Sequence, residues 1–220
     1  MSRGDNIMRV TVFGAASALG RHVVEDLVFR GHEVVAHADA SAPVPGGWPG
    51  EVAVVPGSPA DPAVVEAAVA GSEAVISVLG PDRTGVPAHA SLAECTRQIL
   101  RAMERHGVRR YVGLGSCRSL GPQERLSLLE RAPLHLALLA HPRGHREMAG
   151  AVEAVTSSGL DWTLVRCLLV HGGQPRGLKR VGLFGRDEVG PCATRADVAR
   201  FLAGQILERR YIGAAPAVSG

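Results

Sequence analysis

Gly14-Ala15-Ala16-Ser17-Ala18-Leu19-Gly20 stands between a short β-branched run and a stretch of helical periodicity, and an acidic residue, Asp39, follows 19 positions after Gly20. A turn of this kind leaves the first N–H groups of a helix unpaired and directs the positive end of its dipole at whatever binds there. The chemistry it suits is anion binding, and a carboxylate at this distance suggests the pyrophosphate of a dinucleotide whose ribose hydroxyls the carboxylate accepts. Gly14, Ala16, Ser17, Ala18, Leu19, Gly20 and Asp39 are therefore candidate binding residues. A count sets a second boundary. Of the 24 basic residues 23 are arginine, Lys179 is the single lysine, and the tyrosines are Tyr111 and Tyr211. The residues four places after them are Gly115 and Ala215, so a Tyr and Lys one helical turn apart are excluded.

These residues need a scaffold, and the apolar pattern supplies one. Arg9 to Phe13 reads as a strand and Leu19 to Arg30 as a helix ended by Gly31, with Glu33-Val34-Val35-Ala36-His37-Ala38 as a second strand. Ser41 to Gly50, rich in Pro and Gly, reads as a loop. Val52 to Val55 is strand-like, and Asp61-Pro62 opens a helix to about Ala70. Glu73 to Leu79 is a fourth strand, His89 to His106 a helix, and Arg110 to Leu114 a fifth strand. Leu126 to Leu139 contains Pro133 and reads as a broken helix or loop. Arg146 to Ser157 is helical, Asp161 to Arg166 a sixth strand, Thr194 to Glu208 a helix, and Tyr211 to Ser219 a short edge strand. Near-continuous apolar strands alternating with helices specify a doubly wound parallel α/β sheet of the Rossmann type, covered on both faces.

The 220 residues, 46% hydrophobic and 20% charged, fit one domain spanning 1–220. Its net charge of +3 is scattered, which argues against a nucleic-acid partner. No run approaches the ~20 apolar residues of a membrane span, so a cytoplasmic protein without a membrane partner is expected. Cys95, Cys117, Cys167 and Cys192 form no C-x-x-C pair, read as buried thiols, and indicate no metal site. The preference for Arg over Lys is one associated with GC-rich bacterial genomes.

The chain resembles the atypical short-chain dehydrogenases of the NmrA-like and biliverdin reductase B (flavin reductase) type. The resemblance rests on Val10-Thr11-Val12-Phe13-Gly14-Ala15-Ala16-Ser17, Gly31-His32-Glu33-Val34, Val75-Ile76-Ser77-Val78-Leu79-Gly80, Gly107-Val108-Arg109-Arg110-Tyr111-Val112, Ser158 to Arg166, and Thr194 to Ala199. It implies NAD(P)H as cofactor, with Leu79 and Gly80 beside it, and a substrate-pocket rim at about residues 116–148 and 167–193. Three departures bear on this. Ser17 stands where the family usually has Gly, and its hydroxyl either narrows the approach of the phosphates or donates to them. Asp39 replaces the Arg that holds a 2′-phosphate in NADP-binding members, which favours NADH. Ser58 replaces the family's Asp near the adenine.

The resemblance also places Ser116 beside the nicotinamide, where a serine can hydrogen-bond a substrate carbonyl; the plainer reading is a turn serine. The lysine of the usual proton relay falls at Met148. His145, one turn earlier, is the leading replacement in a group with His141, Arg143 and Arg146, against the alternative of a solvated helix entry. After strand six the family commonly has Arg-Pro, and here Arg166-Cys167 leads to His171, an acid–base candidate or an exposed loop histidine. Lys179-Arg180 and Arg83 suit an anionic ligand or plain solvation. The expected function is an NAD(P)H-dependent oxidoreductase acting on a conjugated small molecule such as a flavin, quinone or polyketide-like enone, as a monomer or homodimer. The alternatives are a redox-silent isomerase, lyase or cyclase, and an NmrA-like nucleotide-binding sensor.

Overall fold

The computed structural model describes residues 7–39, 48, 52–80, 82, 84–117, 139, 142–184 and 186–220. Six strands form one parallel sheet: β1 Arg9–Phe13, β2 Glu33–Ala38, β3 Val52–Pro56, β4 Ala74–Ser77, β5 Arg110–Leu114 and β6 Asp161–Val165, in the spatial order β3-β2-β1-β4-β5-β6. The helices are α1 Ala18–Phe29, α2 Pro62–Val69, α3 Leu92–Arg105, α4 Pro142–Thr156 and α5 Arg195–Gly204. This is the Rossmann-type doubly wound sheet that the alternating pattern specifies. Period-two alternation divides each strand between two cores. Val10, Val12, Val34, Ala36 and Ile76 pack against α1 and α5, while Phe13, Val75 and Tyr111 pack against α2, α3 and α4. Each fully buried Val, Ile or Phe contributes roughly 1.5–3 kcal/mol. The winding reverses at β1, which lies between β2 and β4, and this opens a crevice at the carboxyl ends of the strands.

The structure corrects several expected boundaries. Helix α3 begins at Leu92, not His89, because the Ser91 hydroxyl accepts from Glu94 N at 3.1 Å and caps it. Helix α4 begins at Pro142, ahead of Arg146, since a proline fits a first helical turn that needs no N–H partner. Strand β4 is confined to Ala74–Ser77. β3 is an edge strand with Ala53 and Val54 exposed, so it is not covered on both faces. Of the cysteines only Cys95 is buried; Cys117, Cys167 and Cys192 are half-buried, and none of the four is in a disulfide.

Helix α5 stops at Gly204 instead of reaching Glu208, and Arg110 is the reason. Its buried guanidinium donates to Gln205 O at 2.6 and 3.0 Å, Asp161 O at 2.6 Å, Thr163 Oγ1 at 2.8 Å and Glu208 O at 3.3 Å. A cation there satisfies the unpaired carbonyls beyond the helix end and opposes the negative end of its dipole. Burial lowers the Arg110 pKa to about 10, so the group stays charged at neutral pH.

Four short strands build a second layer beyond β6. β7 Leu169–His171 pairs in parallel with β9 Cys192–Thr194, and β8 Arg180–Gly182 pairs antiparallel with β10 Ala217–Ser219. The edge strand expected in Tyr211–Ser219 is thus β10. The segment leading into it runs along the outer edge of β6, where Leu164 N donates to Ala214 O and Arg166 N to Pro216 O, both main-chain bonds. The expected loop over 41–50 lies outside the described residues except Trp48, and the broken helix over 126–139 except Leu139; His141 and Arg83 lie outside them as well.

Candidate functional site

At the crevice, β1 passes into α1 through the glycine turn. Gly14 has φ +79°, a left-handed conformation that a side chain would strain. A Cβ on Gly20 would lie 2.1 Å from Gly14 O, so only glycine lets the first turn of α1 close onto the strand end. Ser17 is the N-cap: its hydroxyl accepts from Gly20 N at 3.0 Å, and its own N–H donates to Gly14 O at 3.0 Å. The cap leaves the N–H groups of Ala18 and Leu19, the first two residues of α1, facing out of the helix end. Leu79 lies against this turn, its N 3.3 Å from where a Gly14 Cβ would be, and Gly80 is buried against Leu114.

Gly14, Ala16, Ser17, His37, Ala38, Asp39, Thr84 and Gly85 enclose a single cavity of about 20 Å³. His37 is fully buried, and apart from contact with its own main chain neither ring nitrogen has a hydrogen-bond partner among the described residues. Its ring packs on Phe13, in register with it across β1 and β2. Burial pulls the imidazole pKa down to about 4, with the Asp39 carboxylate opposing that shift, so the ring is neutral near pH 7. Gly85 folds over the turn, and a Cβ on it would lie 4.0 Å from Gly14 Cα.

The other candidates are spread along the same edge of the sheet. Ser116 follows β5 and is buried. His145 lies half-buried in the first turn of α4. Because α4 runs back before β6, that turn lies at the carboxyl-end edge of the sheet. Met148 is buried between α3 and α4. His171 ends β7 with its ring exposed and hydrogen-bonded to Gly172 O. Ser58 does not line the cavity; its hydroxyl accepts from Ala60 N at 3.1 Å. Lys179 and Arg180 are exposed, and Arg180 pairs with Glu188 at 2.9 Å. Tyr111 is buried on β5 with its hydroxyl on Ser77, and burial pushes its pKa up to about 12, so it is a poor proton donor. No group of three or more metal-ligating side chains occurs among the described residues, nor any helix long and apolar enough to cross a membrane.

A family model described as NAD(P)H-binding matches residues 14–209, beginning at the glycine turn and running through α5. The chain belongs to the NAD(P)H-binding family. Solved structures of similar fold include a short-chain dehydrogenase/reductase from Veillonella parvula in complex with NADP, at TM-score 0.76 and 17% identity over 98% of this chain and 95% of that one. An anaerobillin reductase from Escherichia coli aligns at TM-score 0.72 and 19% identity, covering 96% of each chain. Among curated proteins, an uncharacterised protein of Mycobacterium tuberculosis is 27% identical over 165 residues. The chain spans 15% of the length of the curated relatives it matches.

The site of this member of the NAD(P)H-binding family fits the phosphate and ribose end of such a cofactor in its residue types. The glycine turn allows close approach, the helix end supplies N–H donors, and Asp39 and the orphaned imidazole of His37 share the adjoining cavity. The cavity of about 20 Å³ is smaller than an adenosine. Sequence reasoning missed His37 as a site residue. The available signal was a lone titratable side chain inside the apolar run of β2, two positions before Asp39.

Proposed function

We propose that the protein is a cytosolic NAD(P)H-dependent reductase of the NmrA-like or flavin-reductase type, preferring NADH and acting on a conjugated small molecule such as a flavin, quinone or enone. The observation that carries this reading is the meeting of Gly14, Ser17 and Asp39 around one cavity at the reversal point of the sheet. The glycine turn and α1 hold the pyrophosphate, with the Ser17 hydroxyl hydrogen available to donate to it while its oxygen serves the cap. Asp39 accepts from the ribose hydroxyls and repels a 2′-phosphate. The bound cofactor supplies hydride from the nicotinamide. Ser116 holds the acceptor's carbonyl or ring oxygen, His145 approaches from the start of α4, and His171 belongs to the rim. With no Tyr and Lys pair, the protein contributes chiefly by aligning two planar molecules. The small-molecule substrate is its partner, and it works as a monomer or homodimer.

Fluorescence titration with NADH and NADPH tests the reading. Wild-type protein binds NADH more tightly, and Asp39→Arg inverts the preference. Failure to bind either cofactor at millimolar concentration overturns the proposal. Stoichiometric oxidation of NADH with a flavin or quinone acceptor supports reduction, whereas tight binding without hydride transfer to any acceptor favours the sensor.

A further inference from the structure

His37 is a fully buried side chain at the crevice whose ring nitrogens, apart from contact with its own main chain, lack a hydrogen-bond partner among the described residues. A polar group buried in that way destabilises a fold unless something else satisfies it. An apolar residue would serve the packing on Phe13 equally well, and the register neighbour of His37 on β3 is the apolar Val55. The imidazole lies two positions before Asp39, which directly follows β2, and both residues line the same cavity. Resting on the NADH reading above, we propose that His37 is a specificity-determining residue that binds the unphosphorylated ribose diol of an adenosine nucleotide jointly with Asp39.

The chemistry is complementary. A vicinal diol presents two hydroxyls, each able to donate and accept. Asp39 accepts from one, and a neutral imidazole, with one donor and one acceptor nitrogen, satisfies the other. Burial keeps the ring neutral near pH 7, so it retains the acceptor that an imidazolium lacks. An ionised 2′-phosphate removes the hydroxyl that this pair reads and brings negative charge to the carboxylate. Discrimination against such a ligand then comes from two residues, one charged and one neutral. The diol could belong to NADH or to a nucleotide without nicotinamide, and the probes separate these sources.

Calorimetric titration of the full chain with ADP-ribose, NADH and NADPH, for wild type, His37→Leu and His37→Gln, tests this together with melting of the ligand-free proteins. His37→Leu removes the buried polar group, so its ligand-free Tm rises, while its affinity for ADP-ribose and NADH falls about tenfold. NADPH affinity changes by less than about twofold, and His37→Gln, which keeps a donor and an acceptor, recovers most of the loss. Equal loss for ADP-ribose and NADH assigns the effect to the diol; loss for NADH alone overturns it. A raised Tm with unchanged ADP-ribose affinity also overturns it, leaving His37 as a core residue or the partner of a bound water only. Should wild type bind none of the three ligands, the proposed function fails first; binding by wild type with no effect of His37→Leu fails this inference alone.

Discussion

The rings of Phe13 and His37 pack with centroids 4.8 Å apart and planes 37° apart, joining the carboxyl ends of β1 and β2 on the α2 side of the sheet. This contact buries the imidazole and gives the fold an acid sensitivity. The His37 pKa is lowered to about 4, and that of His32 is lowered too, by burial first and by Arg30. In the unfolded chain both sit near 6.5. Between these values the unfolded chain binds protons that the native fold refuses, so stability is retained above about pH 6.5 and falls as pH drops toward 4. His37 alone accounts for up to about 3 kcal/mol. Melting curves across this window should show Tm falling steeply in wild type and less in His37→Leu. A Tm of His37→Leu that falls as steeply as that of wild type contradicts the assignment.

Ser17 and Gly20 separate the capping role from the space requirement. Ser17→Ala removes the cap and costs about 1 kcal/mol, whereas Ser17→Gly costs only a few tenths. Gly20→Ala forces a methyl group onto Gly14 O, for which overpacking costs of about 1–3 kcal/mol or more apply. Chemical denaturation of the three variants checks the order, with Gly20→Ala the least stable.

Arg110→Ala strips the carbonyls of Asp161 and Gln205 of their shared donor in a buried setting. A loss of about 2–4 kcal/mol is expected, with little recovery in Arg110→Lys, because an ammonium cannot reproduce the planar fork. Urea unfolding measures both. Equal stability of wild type and Arg110→Lys would show that charge alone suffices.

Thr84 and Gly85 line the cavity beside Gly14, so NADH held there as proposed would alter their surroundings. Hydrogen exchange at these two amides should change on adding the cofactor, while the amides of β4 stay protected with or without it. No change at 84–85 under saturating NADH would show that the nucleotide enters by another path.

If Ser116 holds the acceptor as proposed, Ser116→Ala should slow reduction of a flavin acceptor by roughly tenfold to a hundredfold while leaving NADH affinity nearly unchanged. Steady-state rates and cofactor titration separate the two effects.

The main sheet was legible because its signals are local. Arg110–Leu114 and Glu33–Ala38 have the limits that their apolar runs mark, and Asp61 with Pro62 starts α2 by a cap readable from adjacent residues. The end of α5 was not legible, because the donor that stops it, Arg110, lies 95 residues from Gln205. Strands β7, β8 and β9 are three residues each and held by pairing with distant segments, too short to show a period. In the candidate site, the glycine turn and Asp39 could be read together from spacing, and they share a cavity. The position of Ser58 depends on a turn bond to Ala60, and the burial of His37 on the register of two strands.

The layer made by β7 to β10 meets the main sheet along the edge of β6, through main-chain bonds such as Leu164 to Ala214 and Arg166 to Pro216. Its residues Ala193 and Val218 are nevertheless buried in the same core as Val10, Val12 and Ala15, directly under the glycine turn. Opening that layer therefore uncovers part of the core on which β1 and α1 rest. Substitutions at Ala193 or Val218 therefore reach the packing beneath the glycine turn, so the late strands and the nucleotide half of this architecture are not free to vary independently.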